Sequence, residues 1–281
     1  THSHALRGGA AHRDHNFALR RDFLLHTAYK AREPRMAELT FNKYPCGFGF
    51  KNLTFTDFTL KRGGFTLSIP SLSIKAGEKT ALLGENGCGK TTLLLALAGV
   101  LEMEGIYCDG KPWSVFSTEE RSNYISYLPQ KADLLFNLTV DELIRLRLDE
   151  VYKLEPLLEA LDMTGFLERH YHELSGGEKR RAMLARVLSR RVGCYLLDEP
   201  AAPLDLRHTV QLMDWLGRAE ATVICAMHDI NTAVKYFDRF LLMKDGRILY
   251  DKRKDELNEE TFEAVYGVPM RRVDGYFMPA C

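Results

Sequence analysis

From residue 39 onward, apolar and polar positions follow two periods in turn. "LTFNKY", "KNLTFTDFTL" and "GGFTLSIPSLSI" alternate or run apolar between Gly, Pro and Lys-Ala-Gly breaks. This pattern predicts strands and turns across 39–82. "EKTALLG" is a short apolar run that stops at glycine, as a buried central strand does, and "KTTLLLALAGV" after it predicts a helix packed on the sheet. Between about 138 and 192 the spacing turns helical, in "TVDELIRLRL", "LEPLLEALDM" and "GGEKRRAMLARVLSR". Ser175 followed by Glu178 is a capping-box pattern at the start of the last of these. "CYLLDEP" predicts a second buried strand, "LRHTVQLMDWLGRA" a helix, "ATVICAMHD" a third strand and "NTAVKYFD" another helix. "RFLLMKDGRILYD" reads as a hairpin with Asp-Gly at its turn. Buried strands alternating with helices predict an α/β fold whose parallel sheet is covered on both faces.

Composition narrows the possibilities. The 281 residues are 46% hydrophobic and 27% charged, with 38 basic and 38 acidic side chains. That supports one large core, or one core with a subdomain attached, and argues against wholesale disorder. A net charge of zero also argues against nucleic acid as main partner, since binding phosphates requires surplus positive charge. Six cysteines without a CxxC pair read as buried free thiols in a reducing compartment. The longest apolar run, at 91–100, is about half a membrane span, so a soluble protein is expected. Residues 1–35 hold five of the nine histidines and excess basic charge, and Met36, after a proline, is an alternative start. This segment is expected to be a flexible or vector-derived extension, and His2, His4, His12 and His15 to be tail histidines rather than metal ligands.

The chemistry concentrates in two places. "GENGCGKT", Gly84 to Thr91, fits G-x-x-x-x-G-K-[ST] between an apolar strand and an apolar helix. Gly84, Gly87 and Gly89 let the backbone turn around a phosphate, and amides at the helix start, including those of Asn86, Cys88 and Thr92, can point at it. Lys90 can reach the outer phosphates, and Thr91 offers magnesium a hydroxyl. Asp198 ends the second buried strand, where its carboxylate can hold magnesium, and Glu199 follows to polarise an attacking water. Two adjacent acids after an apolar run are costly to bury and hard to explain by packing alone.

Over residues 48–250 the chain resembles the ABC ATPase family. The marks, in order, are "GENGCGKTT", Gln130 in "YLPQ", "LSGGE" at 174–178, "CYLLDEP", Asp205 and His228. The resemblance implies a P-loop NTPase of ABC type, with a mostly parallel core sheet, an N-terminal antiparallel β subdomain and a helical subdomain at about 131–190. The domain would span 36–250, with 251–281 packed on it as a tail. The resemblance implies ATP and Mg2+ as ligands, with Thr91, Gln130 and Asp198 at the metal and Glu199, His228 and Gln130 catalytic. Ser175, Gly176 and Gly177 would meet the γ-phosphate held by a second subunit in a head-to-tail dimer, and Asp205 would couple the two sites. Phe58 is the first choice for stacking on adenine, with Phe65 and Phe55 as rivals. The chain departs from the family at "AAPLD", where a proline stiffens the loop after Glu199, and at Cys88, whose electropositive setting would make a thiol reactive.

"LDLRH", "VYGV" and the segments around them look like the ATPases of importers for iron-siderophore, haem and vitamin B12. Such a subunit sits on the cytoplasmic side of the membrane. It works with a separate permease docking near "KADLLFNLTV" and with a periplasmic or extracellular substrate-binding protein. The alternatives are the ATPase of a metal-ion importer or an exporter, and a soluble ABC-type ATPase acting on ribosomes or DNA; the two fused cassettes, basic linker or coiled coil that would favour the latter are missing from the sequence.

Overall fold

The computed structural model describes residues 50–101, 104–132, 134–146 and 154–280. The extension 1–35 with its histidines, the run "LTFNKY", Cys46 and Cys281 lie outside the described residues. No helix among the described residues is long and apolar enough to cross a membrane.

Strands β1 (Asn52–Arg62), β2 (Phe65–Lys75), β3 (Lys79–Leu83), β4 (Ile106–Cys108), β5 (Lys111–Pro112), β6 (Ile125–Leu128), β7 (Cys194–Asp198), β8 (Thr222–Ala226), β9 (Arg239–Lys244) and β10 (Arg247–Arg253) join in one sheet. Its order is β5-β4-β1-β2-β10-β9-β3-β8-β7-β6. The run β9-β3-β8-β7-β6 is parallel, and every residue of β7 and β8 is buried. Buried parallel strands need crossovers that return over the sheet faces. These contain α1 (Lys90–Leu97), α2 (Thr118–Tyr124), α3 (Val140–Arg145), α4 (Leu154–Ala160), α5 (Gly176–Leu188), α6 (Leu206–Arg218) and α7 (Ile230–Tyr236). Beyond β10 come α8 (Glu259–Tyr266) and the hairpin β11 (Met270–Val273)–β12 (Tyr276–Pro279).

Strand alternation splits the apolar side chains between the two faces. Leu82, Leu196, Ile224 and Leu241 pack with Leu93 and Leu94 of α1 and with the inner face of β1 and β2. Leu83, Leu197, Cys225 and Leu242 pack with α3–α6 and α8. The antiparallel arm β5-β4-β1-β2 is therefore not a detached sheet: it continues the core through a parallel bridge, Arg247 to Ser68, between β10 and β2. Inside the arm the β1–β2 ladder skips a step. Asp57 turns to φ 49° and has no partner in the register, which jumps from Thr56–Ser71 to Phe58–Ile69 around Pro70. Proline has no amide to donate to the ladder at that step.

The expected capping box is present: Ser175 N donates to Glu178 Oε2 at 2.7 Å, and Glu178 N donates to Ser175 Oγ at 3.4 Å. Left-handed backbone at both central positions explains the Asp-Gly sequence of the β9–β10 turn. Asp245 and Gly246 take φ 47° and 73°, and a side chain at Gly246 would press on the Thr66 carbonyl. Gly246 N donates to Cys88 O at 3.1 Å, so this turn braces the glycine-rich loop.

Candidate nucleotide site

Four parallel strands end side by side, and each leads into one of the marked segments. Leu82 of β3 pairs with Ala226 of β8, Asp198 of β7 pairs with Ala226, and Leu128 of β6 pairs with Leu197. Gly84, Gln130, Asp198–Glu199 and His228 thus emerge on one edge of the sheet. Crevices at the carboxyl ends of parallel strands are where such folds bind ligands.

The glycine-rich loop is held tightly from behind. Gly84 sits at φ 146°, and an added Cβ there would lie 2.2 Å from Met243 O and 2.8 Å from Cys88 Sγ. Gly89 sits at φ 111° at the head of α1 and makes no side-chain cap. The α1 amides therefore face the loop's concavity without a side-chain acceptor. Lys90 is buried and its Nζ curls over the loop, donating to Gly84 O at 2.6 Å and Glu85 O at 3.0 Å. Glu85, Asn86 and Gly87 are exposed at the rim, Thr91 is exposed and Thr92 half-buried.

The two adjacent acids occupy different environments. Asp198 is completely buried, and neither carboxylate oxygen has a hydrogen-bond partner. Burial pushes its carboxyl above the ordinary carboxylate range, and the nearby Thr91 hydroxyl and the Arg180 and Lys90 charges do not cancel that effect. A buried carboxylate without a donor suits a divalent cation. Glu199 takes φ 49°, a left-handed conformation that costs a non-glycine residue about 1–2 kcal/mol. Its amide donates to Ala226 O at 3.0 Å, and its Oε1 lies 2.5 Å from Nε2 of the exposed His228.

Other expected residues fall around this centre. Gln130 is exposed just past β6. Ser175 and Gly176 are exposed at the head of α5, and Gly177 is half-buried, with Pro203 O 3.4 Å from where a Cβ would sit. Asp205 caps α6 by accepting from His208 N at 2.9 Å, a bond that lowers its pKa, and also meets His208 Nδ1 at 2.8 Å. His208 Nε2 lies 3.7 Å from Asp162 Oδ2, beyond hydrogen-bond distance.

Phe58 is a correction. It is 1% exposed and packs edge-on against Phe55, itself 1% exposed, at 5.5 Å between centroids. Both belong to the core face of β1 and cannot reach a ligand. The partly exposed Phe65 is the aromatic beside the site: its ring tip would lie 2.9 Å from a Cβ on Gly89 and 3.3 Å from one on Gly246. The unpaired step at Asp57 and Pro70 and the exposed turn at Gly63 and Gly64 obscure this register in the sequence.

A family profile described as "ABC transporter" matches residues 67–202. A petrobactin import ATP-binding protein of Bacillus anthracis is 34% identical over 234 residues, covering 76% of this chain and 86% of that protein. The chain belongs to the ABC transporter ATP-binding family. A hemin import ATP-binding protein of Rhizobium leguminosarum is 36% identical over 238 residues, covering 74% of this chain and 88% of that one. Two solved structures share the fold. One, a metal-chelate type ABC transporter in an inward-facing conformation, has a TM-score of 0.65 at 22% identity, covering 82% of this chain and 98% of that chain. The other, a bacterial Atm1-family ABC exporter with ATP bound, has a TM-score of 0.69 at 20% identity, covering 79% and 43%. The activity of this ABC subunit is ATP hydrolysis coupled to transport.

Two residues that touch the candidate site carry no motif signal. Arg180, the fifth residue of α5, is buried and reaches both the Gln130 and Glu199 loops. Tyr266, the last residue of α8, accepts from Gly84 N at 3.1 Å, and burial pushes its phenol up to about 12. "VYGV" in the tail was the only hint of the second. Nothing distinguishes Arg180 from its neighbours in "EKRR".

Proposed function

We propose that two copies of this chain, arranged head to tail, bind and hydrolyse ATP with Mg2+ at their interface and so drive a separate membrane permease that takes up an iron chelate, haem or cobalamin. The observation that carries the reading is the convergence of Lys90, Asp198 and the Glu199–His228 pair on one edge of the sheet, with a glycine cradle behind them. Thr91, Asp198 and Gln130 would hold the metal, and the unpartnered Asp198 oxygens fit that need. A bound magnesium ion would supply positive charge to offset the charge that develops on the phosphate oxygens. The Gly84–Thr92 loop supplies amides and the Lys90 ammonium to the phosphates. His228 orients the Glu199 carboxylate, which aligns water for in-line attack. Ser175, Gly176 and Gly177 would close on the phosphate held by the other copy, with Asp205 between the two sites. Phe65 takes the adenine-stacking role.

The cargo reading draws on the petrobactin and hemin import relatives, together with "LDLRH" and "VYGV". The permease reading draws on Leu135 and Phe136, large apolar side chains exposed by 59% and 48% just after Gln130. A substrate-binding protein outside the membrane completes such a system. Glu199→Gln tests the catalytic centre: it should retain ATP and elute as a trapped dimer in gel filtration. Hydrolysis at the wild-type rate would overturn the assignment. Co-purification from gently solubilised membranes should recover a multi-span permease of the chelate, haem or cobalamin type; recovery of ribosomes, DNA-repair proteins or an export permease would refute the uptake reading.

A further inference from the structure

We propose that Arg180 is a positioning residue for hydrolysis, fastening the Gln130 loop and the Asp198–Glu199 loop to the helix that starts at Ser175 so that all three keep one arrangement. The guanidinium has five N–H donors in a rigid fork, and each finds an acceptor. Nε donates to Pro200 O at 3.2 Å. Nη1 donates to Pro129 O at 2.6 Å and Gln130 O at 3.2 Å. Nη2 donates to Asp198 O at 2.6 Å and Glu199 O at 2.8 Å. All five acceptors are main-chain carbonyls, so the bonds fix backbone, and hence the origin of each functional side chain, in addition to the field the guanidinium exerts on the Asp198 and Glu199 carboxylates.

The placement is specific. Three acceptors lie in the loop carrying the two acids and two lie in the loop carrying Gln130, while the donor rides on α5 about one turn beyond Ser175, Gly176 and Gly177. Glu199 and Pro200 have left the β7 ladder, so their carbonyls need partners from elsewhere. Arg180 is 6% exposed, and charge-assisted bonds in such a setting are stronger than neutral ones. The glycine-rich loop receives none of the five bonds. Arg180 therefore acts on the geometry of attack and on its link to the α5 end, and not on nucleotide capture. Lysine keeps the charge but replaces the planar fork with three donors on one atom, so it cannot span both loops. The inference rests on the assignment of Gln130, Asp198 and Glu199 to the nucleotide site.

The test compares Arg180→Lys and Arg180→Gln with wild type in steady-state ATPase assays, binding of a fluorescent ATP analogue, and thermal melting. Misplaced reacting groups cost about a hundredfold in rate, so kcat should fall by roughly that factor in both variants while analogue affinity stays within about twofold. A pure kcat effect marks an interaction expressed in the transition state. Combined with Gln130→Ala, Arg180→Lys should lower kcat no further than the worse single variant, as for residues acting through one another. The proposal is overturned if kcat stays near wild type, if analogue binding and melting temperature fall together with kcat, if the double variant is additive, or if neither variant folds. Glu199→Gln run in parallel separates the two readings. If it is inactive while Arg180→Lys is intact, only the role of Arg180 fails. If it hydrolyses normally, the site assignment fails first.

Discussion

Asp198→Asn should make the nucleotide-free protein more stable while abolishing magnesium-dependent hydrolysis. The wild-type carboxylate is fully buried with both oxygens unpartnered. An unsatisfied buried polar group costs about 1–3 kcal/mol, and more when charged. Asparagine removes the ionic part of that penalty but leaves an unpaired amide, so a net gain of about 1–2 kcal/mol is expected. In a domain of this size that corresponds to a rise in melting temperature of roughly 2–8 °C.

The same burial sets a pH dependence. Because the folded pKa of Asp198 is raised, the folded state holds its proton at pH values where the unfolded chain has released it. Stability from this group therefore falls as pH rises from the ordinary carboxylate value to the raised one, and stays low above it. The wild-type minus variant difference should vanish below the unfolded carboxylate pKa and reach its full size above the folded one. Thermal melting across pH, without nucleotide and then with ATP and magnesium, measures all of this. Wild type should gain a magnesium-dependent upward shift with ATP and the variant should not. A variant that melts at or below wild type at neutral pH, or that keeps the magnesium-dependent shift, refutes the account of Asp198 as an unpaired carboxylate awaiting a cation.

Phe58→Ala should cost about 3–5 kcal/mol of folding stability as a core truncation; Phe65→Ala should leave the melting temperature nearly unchanged and raise KM for ATP, and the reverse pattern would restore Phe58 to the site. Tyr266→Phe removes the acceptor for Gly84 N and should cost about 1–3 kcal/mol, with KM for ATP raised and kcat kept; unchanged melting and KM would show that the tail does not restrain the loop. Cys88 packs 5% exposed between Gly84 and Lys90, so N-ethylmaleimide should inactivate the ATPase slowly, with ATP protecting. Equal inactivation of Cys88→Ala would place the reactive thiol elsewhere.

Most of the core sheet was legible because local chemistry and the global fold agree there. Gly84 to Thr91 needs a strand before it and a helix after it, and both neighbours are apolar runs of the right length. The capping boxes at Ser117, Thr139 and Ser175 are built from residues three apart, yet only the last was anticipated: the helix after Ser117 is too short to show a clear period, and at Thr139 the helix was read from its spacing but its cap was not. Strands β4 and β5 were missed for the same reason: at three and two residues they are edge pieces fixed by pairing with β1 rather than by their own sequence. Phe58 misled because the choice among Phe55, Phe58 and Phe65 rested on the resemblance alone, and the segment "TLKRGG" blurs the alignment there. The unpaired step at Asp57 and Pro70, across which the buried alternation shifts so that Phe55 and Phe58 both face the core, and the packing of that face with α1 decide otherwise. Arg180 was illegible in principle, since its partners lie 18 to 51 residues away and are carbonyls, which every residue has.

The pairing of Asp198 with Glu199 shows how a strained backbone angle resolves a conflict between two periodicities. In a regular strand consecutive side chains point to opposite faces, so adjacent acids at the end of β7 should not serve one site. Asp198 keeps strand geometry and lies buried beside α1, in register with Ala226. One residue later the chain turns to φ 49°, while the amide of Glu199 still donates to Ala226 O. That single left-handed step swings the Glu199 carboxylate to the sheet edge, where His228 arrives from the end of the neighbouring strand. Strain of this kind persists only where surrounding contacts over-determine it. Here the contacts are the Ala226 carbonyl on one side and the Arg180 fork, gripping Asp198 O, Glu199 O and Pro200 O, on the other. The two acids can then divide the work, one buried and unpartnered for the cation, the other half-open and held by imidazole for the water.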